Sequence, residues 1–177
     1  PCDPFSQWLR ISEARADPEK RRKARELGVR HLRTAVRFHR KQHSEGRYFL
    51  HEHPSGASSW EGPEVKALQP LHGVFTVQGP MCRWGVEFHI PGRENSVVFK
   101  ETKWVTNSQK IATALDWWCE NKEGGAPHRH LHLVGGVAKR AAAYPPRLVT
   151  AVLKALKEQM MEDGTVSPLE MQVAWPV

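Results

Sequence analysis

The sequence predicts a single α/β domain with a mostly parallel sheet. Two observations carry this. Segments with helical periodicity alternate with short apolar strand candidates along most of the chain; such alternation is the pattern of βαβ units. The 177 residues also fit one domain with a sizeable core, and 40% apolar with 25% charged residues is ordinary for a globular protein.

The elements follow in order. Residues 1–16 read as a loop with a short helical piece near Phe5–Ile11. Asp17-Pro18 is a helix start, since Asp caps and Pro suits the first helical position. The helix runs to about His43, with Val29, Leu32, Val36 and His39 on one face, and Gly46 ends it. Tyr48-Phe49-Leu50 is a short strand broken at His53-Pro54. A turn-rich Ser55–Ser59 loop and a short helix over Pro63–Leu68 come next. Val74–Val77 is a second strand, closed by Gly79-Pro80. Residues 86–106 predict a hairpin turning at Pro91-Gly92, with Val97–Phe99 and Lys103–Thr106 as its later strand material. Asn107 or Ser108 caps a helix whose inner face is Ile111, Ala112, Leu115 and Trp118. Leu131–Val134 is a further strand candidate. Pro145–Met161 is a helix with Val149, Val152, Leu153, Leu156 and Met160 along one side, stopped by Gly164. The tail 165–177 is expected to be loosely attached. In a parallel sheet, ligands sit at the carboxyl ends of strands, so chemistry is expected in the loops holding Cys2, Glu52 and Gly79–Trp84.

Charge and cysteine usage narrow the function classes. Lys plus Arg number 26 against 19 Asp plus Glu, a net charge of +7, with a pI near 9.6. That balance favours polyanions, nucleic acid first. Arg30, Arg33, Arg37, Arg40 and Lys41 form a basic stripe on the first helix, opposite its apolar face. Such a stripe either lies on phosphates or is simply a solvated face. No apolar run reaches the length of a membrane span, and Pro1-Cys2-Asp3-Pro4 is not a basic leader. The three cysteines, Cys2, Cys82 and Cys119, are odd in number and far apart, which points to free thiols rather than a disulfide framework. Trp117 and Trp118 are adjacent on the predicted helix and cannot both face one core layer. One of them is available to stack on a base, although core packing accounts for most such tryptophans.

A metal site is conceivable from the sequence. His128, His130 and His132 alternate and would share one face of a strand, and Cys119 lies nine residues before His128. A zinc site needs a fourth ligand, and Cys82 or His72 would have to come from afar. The plainer reading is of polar residues at a strand start after a Gly-rich loop, so no metal site is assigned.

Several short motifs carry a resemblance. Pro1-Cys2-Asp3-Pro4-Phe5-Ser6 is followed about 45 residues on by Phe49-Leu50-His51-Glu52-His53-Pro54. Next come Cys82-Arg83-Trp84-Gly85 and Lys100-Glu101-Thr102-Lys103. The series resembles the nucleophile loop, the strand-end glutamate and the aromatic-Gly and basic elements of C5-cytosine DNA methyltransferases. It is similar in more detail, over about residues 1–165, to a divergent methyltransferase-like segment of retrotransposon (copia-type) polyproteins. Ala57-Ser58-Ser59-Trp60, Thr106-Asn107-Ser108, the His-x-His run and Tyr144-Pro145-Pro146 extend that match.

The resemblance implies a Rossmann-like three-layer sandwich, incomplete at its N-terminal, cofactor-binding side. It implies Cys2 as the thiolate nucleophile attacking cytosine C6, and Glu52 as the carboxyl at the base's N3 edge. Lys100 and Lys103 join the basic stripe as nucleic-acid contacts. S-adenosylmethionine would bind only if an upstream half supplied the glycine-rich loop, so the chain is expected to be inactive alone. The expected partners are nucleic acid, DNA ahead of RNA, and the remainder of its own polyprotein, with no membrane; the expected location is intracellular, nuclear if it acts on DNA. The missing initiating Met and a motif cut at residue 1 read as a fragment. Asp3, His53-Pro54 and the lysines around Thr102 depart from the family's pattern. The alternative is a non-catalytic nucleic-acid-binding module of the same polyprotein.

Overall fold

A computed structural model describes residues 3–6, 17–85, 96–119, 121, 128–131, 143–167 and 170. The chain forms two compact units, one from residues 1–77 and 101–107 and the other from 78–100 and 108–177.

The first unit is led by helix α1, Pro18–Ser44. Its start is as the sequence predicts: the Asp17 side chain accepts the Glu19 N–H at 2.9 Å and Pro18 stands at the first helical position. Gly28, Leu32 and Val36 form its buried stripe. A short helix α2, Pro63–Lys66, lies alongside. The core gathers Phe5, Leu32, Val36, Phe49, Ala57, Trp60, Val65, Leu68 and Val105. Burying side chains of this size contributes roughly 1.5–3 kcal/mol each.

Strands β1, Leu50–Pro54, and β2, Phe75–Pro80, flank β4, Glu101–Thr106, in a small three-stranded antiparallel sheet of order β1-β4-β2. β1 pairs antiparallel with β4, with Leu50 opposite Thr106 and Pro54 opposite Thr102. Beyond the ladder, Asn107 ties the entry of β1. Its side chain accepts the Phe49 N–H at 2.8 Å and donates to the Arg47 carbonyl at 2.8 Å.

In the second unit, β3, Ser96–Val98, pairs in parallel with β5, Arg129–Leu131, placing Val97 opposite His130. Helix α3, Gln109–Leu115, is capped by Ser108, whose hydroxyl accepts the Ile111 N–H at 3.2 Å. It packs on helix α4, Pro146–Glu162. Gln159 of α4 reaches back, accepting from the Ser108 hydroxyl at 3.2 Å and the Lys110 N–H at 3.0 Å.

The expected Rossmann-like sandwich with a mostly parallel sheet is therefore incorrect. The strands are divided between a three-stranded antiparallel sheet and a separate two-stranded parallel one. Alternating helices and strands do not fix strand direction. Here β4, far from β1 in sequence, returns to pair antiparallel beside it. The later part of the expected 86–106 hairpin fails likewise, because β3 and β4 join different sheets. Residues 86–95, with the Pro91-Gly92 turn, lie outside the described residues. So do Cys2, His132–Val134 and most of the tail.

Two helix faces also differ from expectation. Trp118 lies past the end of α3 and is 61% exposed. On α4 the buried positions are Leu148 and Ala155, whereas Val149 and Leu153 are exposed.

Candidate metal centre

In the second unit, four ligand-type side chains from three segments converge. They are Cys82, Cys119, His128 and His130, whose donor atoms all lie within 4.8 Å of one another. Cys119 Sγ is 3.6 Å from His128 Nε2 and 3.5 Å from His130 Nε2, and the two Nε2 atoms are 3.0 Å apart. Tetrahedral zinc, with sulfur at ~2.3 Å and nitrogen at ~2.0–2.1 Å, would hold sulfur and nitrogen about 3.6 Å apart and two nitrogens about 3.3 Å apart. The three spacings among Cys119, His128 and His130 match that tetrahedron to within about 0.3 Å, and Cys82 Sγ lies within 4.8 Å of all three.

Local structure explains each ligand's position. Cys82 sits in a single 3-10 turn, Met81–Trp84, closed by Gly85 at φ 69°, a left-handed conformation suited to glycine. The turn is fastened to the segment after β3 by the Met81 N–H, which donates to the Lys100 carbonyl at 2.9 Å. Cys119 follows α3, whose C-terminal segment is brought close at Gly79. A Cβ on Gly79 would lie 2.8 Å from the Leu115 carbonyl oxygen and 2.9 Å from that of Trp117. Only glycine permits this approach without a shift. The Trp117 N–H donates to the Gln78 carbonyl at 3.5 Å beside it.

His128 immediately precedes β5 and His130 lies within it. Being two residues apart on extended chain, they present their rings to the same side. The Asn121 amide donates to the His128 carbonyl, which ties the segment after Cys119 to the start of β5. The His130 ring packs against Phe99, with centroids 4.6 Å apart. A metal between the two Nε2 atoms would leave the ring protons on Nδ1, fixing both tautomers.

Burial keeps the Cys82 thiol protonated unless a cation holds it. Cys82 is 4% exposed. Burial first, and then the neighbouring Cys119, push its thiol up to about 12, while the backbone N–H groups of Arg83 and Cys82 act in the opposite direction. A bound divalent ion reverses this balance, because it holds the thiolate directly. Four protein ligands would fill a tetrahedral shell and leave no open position for water or substrate, the arrangement of a structural site.

The sequence alone makes a Cys119–histidine set conceivable, with Cys82 or His72 as a remote fourth, and assigns no metal; the structure brings Cys82, Cys119, His128 and His130 together. His72, the other possible fourth, is elsewhere: its carbonyl bonds His43 Nε2 at 2.9 Å in the first unit. His132 lies outside the described residues.

The residues expected to bear catalysis are differently placed. Cys2 is outside the described residues, so its position relative to Glu52 is not defined. Glu52 lies within β1 opposite Trp104, in an antiparallel pair rather than at the carboxyl end of a parallel strand. Its neighbours His51 and His53 occupy the buried face of β1. His39 Nε2 of α1 lies 3.3 Å from His51 Nδ1, and His53 Nδ1 is 2.5 Å from the Ser59 hydroxyl. Burial above all, with His53 and His39 nearby, lowers His51 to about 3. Burial also lowers His39. This is a packed histidine cluster edged by Trp60.

In the basic stripe, Arg30, Arg33, Arg37, Arg40 and Lys41 are all exposed. Arg33 is engaged with Glu64 at 2.6 Å and Lys41 with Glu45 at 3.6 Å. Lys103 places its ammonium 5.3 Å from the centre of the Trp60 ring. Lys100 is half-buried in the second unit. No helix among the described residues is long and apolar enough to cross a membrane. Comparison with known proteins found no matching family model, no matching curated protein and no matching solved structure.

Proposed function

We propose that this chain is a zinc-stabilised, non-catalytic nucleic-acid-binding module. The observation that carries the zinc is the convergence of two thiols and two imidazoles, with donor atoms within 4.8 Å, from positions spread over residues 82–130. Two thiolates with two imidazoles suit zinc. What supports nucleic acid as the partner is the net charge of +7 together with the exposed Arg30, Arg37 and Arg40 on one long helix. The retrotransposon-type motif series fits a module that works beside the remainder of a polyprotein.

Metal analysis of protein purified without chelator or added metal tests the zinc. One zinc per chain is expected, and less than a tenth of an equivalent, with no uptake on adding zinc, overturns it. Binding to a labelled oligonucleotide over a salt series tests the partner. A steep fall in affinity with salt is expected; no binding at low salt overturns it.

A second reading is a DNA cytosine-5 methyltransferase-like fragment. It is favoured by the spacing of Cys2 and Glu52 and by the motifs around them. It needs an upstream half to bring S-adenosylmethionine, which when bound would supply the methyl group. The test is to fuse such a half and trap with a 5-fluorocytosine duplex. A covalent adduct lost in Cys2→Ser supports this reading, and the absence of any adduct in the fused protein removes it.

A further inference from the structure

We propose that Arg83, Trp117 and Trp118 form a stacking surface for unpaired bases of single-stranded nucleic acid, held in shape by the metal between Cys82 and Cys119. This rests on the zinc reading for the surface's rigidity and goes beyond it in naming the ligand and the residues that meet it.

Each of the three residues is next to a ligand or one step removed. Arg83 follows Cys82, and Trp117 and Trp118 precede Cys119. The Arg83 guanidinium lies 5.0 Å from the centre of the Trp84 ring and 5.4 Å from that of Trp117. Arg83 Nη1 also donates to the Ala114 carbonyl at 3.3 Å. The arginine is thus positioned by two rings and a carbonyl, yet remains exposed. Trp118 is 61% exposed, among the most exposed large apolar side chains described.

Trp117 lies against a fixed, planar cation and its neighbour in sequence, Trp118, is exposed; together they suit one ligand chemistry. An unpaired base offers a π-face and carries a phosphate within a few ångströms. Base–aromatic stacking and arginine contacts together are the recognition mode of single strands. A base inside a duplex has both faces covered by its neighbours, so the surface discriminates against double strands. The basic balance of the whole chain adds attraction without selecting sequence. Metal ligation holds residues 82–83 and 117–119 together, so little freedom is lost when a base docks.

The test uses the full chain with zinc content measured for every variant. The probe is a fluorescein-labelled 20-nucleotide single strand, in deoxy and ribo forms, against a duplex of the same length. Anisotropy gives affinity and tryptophan fluorescence reports stacking. The unmodified chain is expected to bind the single strands at least tenfold tighter than the duplex and to show quenching on binding. Trp118→Ala should weaken single-strand binding about tenfold with zinc content unchanged, and Trp118→Phe should recover most of the loss. Arg83→Gln should weaken it and lower the salt slope by about one phosphate contact. If Trp118→Ala with full zinc binds as tightly as the unmodified chain, or the duplex binds as well as the single strand, the stacking surface is wrong while the zinc stands. If the chain holds no zinc yet loses single-strand affinity in Trp118→Ala, the surface stands and the metal does not. No binding of either strand form by zinc-loaded chain overturns the surface.

Discussion

Gly79 lies against the backbone that follows α3 so closely that a Cβ there would meet the Leu115 carbonyl oxygen at 2.8 Å. That approach brings the turn carrying Cys82 to the segment carrying Cys119. Gly79→Ala must push the two backbones apart. It is expected to cost about 1–3 kcal/mol, in the range of overpacking, and to weaken zinc retention although no ligand is changed. Thermal melting and competition with a zinc-binding dye check both parts.

Removing a ligand acts more directly. Cys82→Ser, Cys119→Ser and His130→Ala should each lose stoichiometric zinc. The stability lost should be several kcal/mol, since metal binding energy is folding energy in such sites. At roughly 2–4 °C per kcal/mol for a chain of this size, the midpoint should fall by about 10 °C or more. A strong chelator should reproduce the same fall in the unmodified protein and change the ligand variants little. Equal chelator sensitivity in all of them would contradict the site.

The histidine cluster predicts a pH dependence independent of the metal. His51 is held near 3 in the fold by burial, with His53 and His39 adjacent, against about 6.5 unfolded. The unfolded chain therefore binds the extra proton first. Stability from this group is full above about pH 6.5 and falls as pH drops toward 3. His51→Gln should reduce the difference in melting midpoint between pH 7.5 and pH 5.5. Zinc content followed in parallel separates this from metal loss.

On α1, Arg30, Arg37 and Arg40 are exposed, whereas Arg33 is engaged with Glu64 at 2.6 Å. Replacing Arg30, Arg37 and Arg40 with Gln should each lower the salt slope of oligonucleotide binding by about 1 and weaken all sequences alike. Arg33→Gln should have a smaller effect. A salt series on each variant measures this, and a larger effect from Arg33 than from Arg37 would contradict the assignment.

What the sequence made legible was local. Asp17-Pro18 and the buried Leu32 and Val36 marked α1 nearly to its observed bounds, because cap chemistry and helical period both lie within a few residues. Ser108 was legible as a cap for the same reason. The sheet was not, because direction and partner come from the far end of the chain. β1 was also disguised: its inward positions are His51 and His53 rather than apolar residues, so alternation of burial left no hydropathy trace. Trp118 was expected inside only because the helix was carried past Leu115.

The candidate metal site shows the same divide. Cys119, His128 and His130 were conceivable as a set because twelve residues contain them. Cys82 was named only as a remote candidate. It joins through the backbone approach at Gly79, a contact no spacing rule encodes.

The most direct measurement is zinc K-edge X-ray absorption on the purified chain. The prediction is one zinc with two sulfur neighbours at about 2.3 Å and two nitrogen neighbours at about 2.0–2.1 Å. A shell of light atoms only, or zinc well below one per chain, would contradict it.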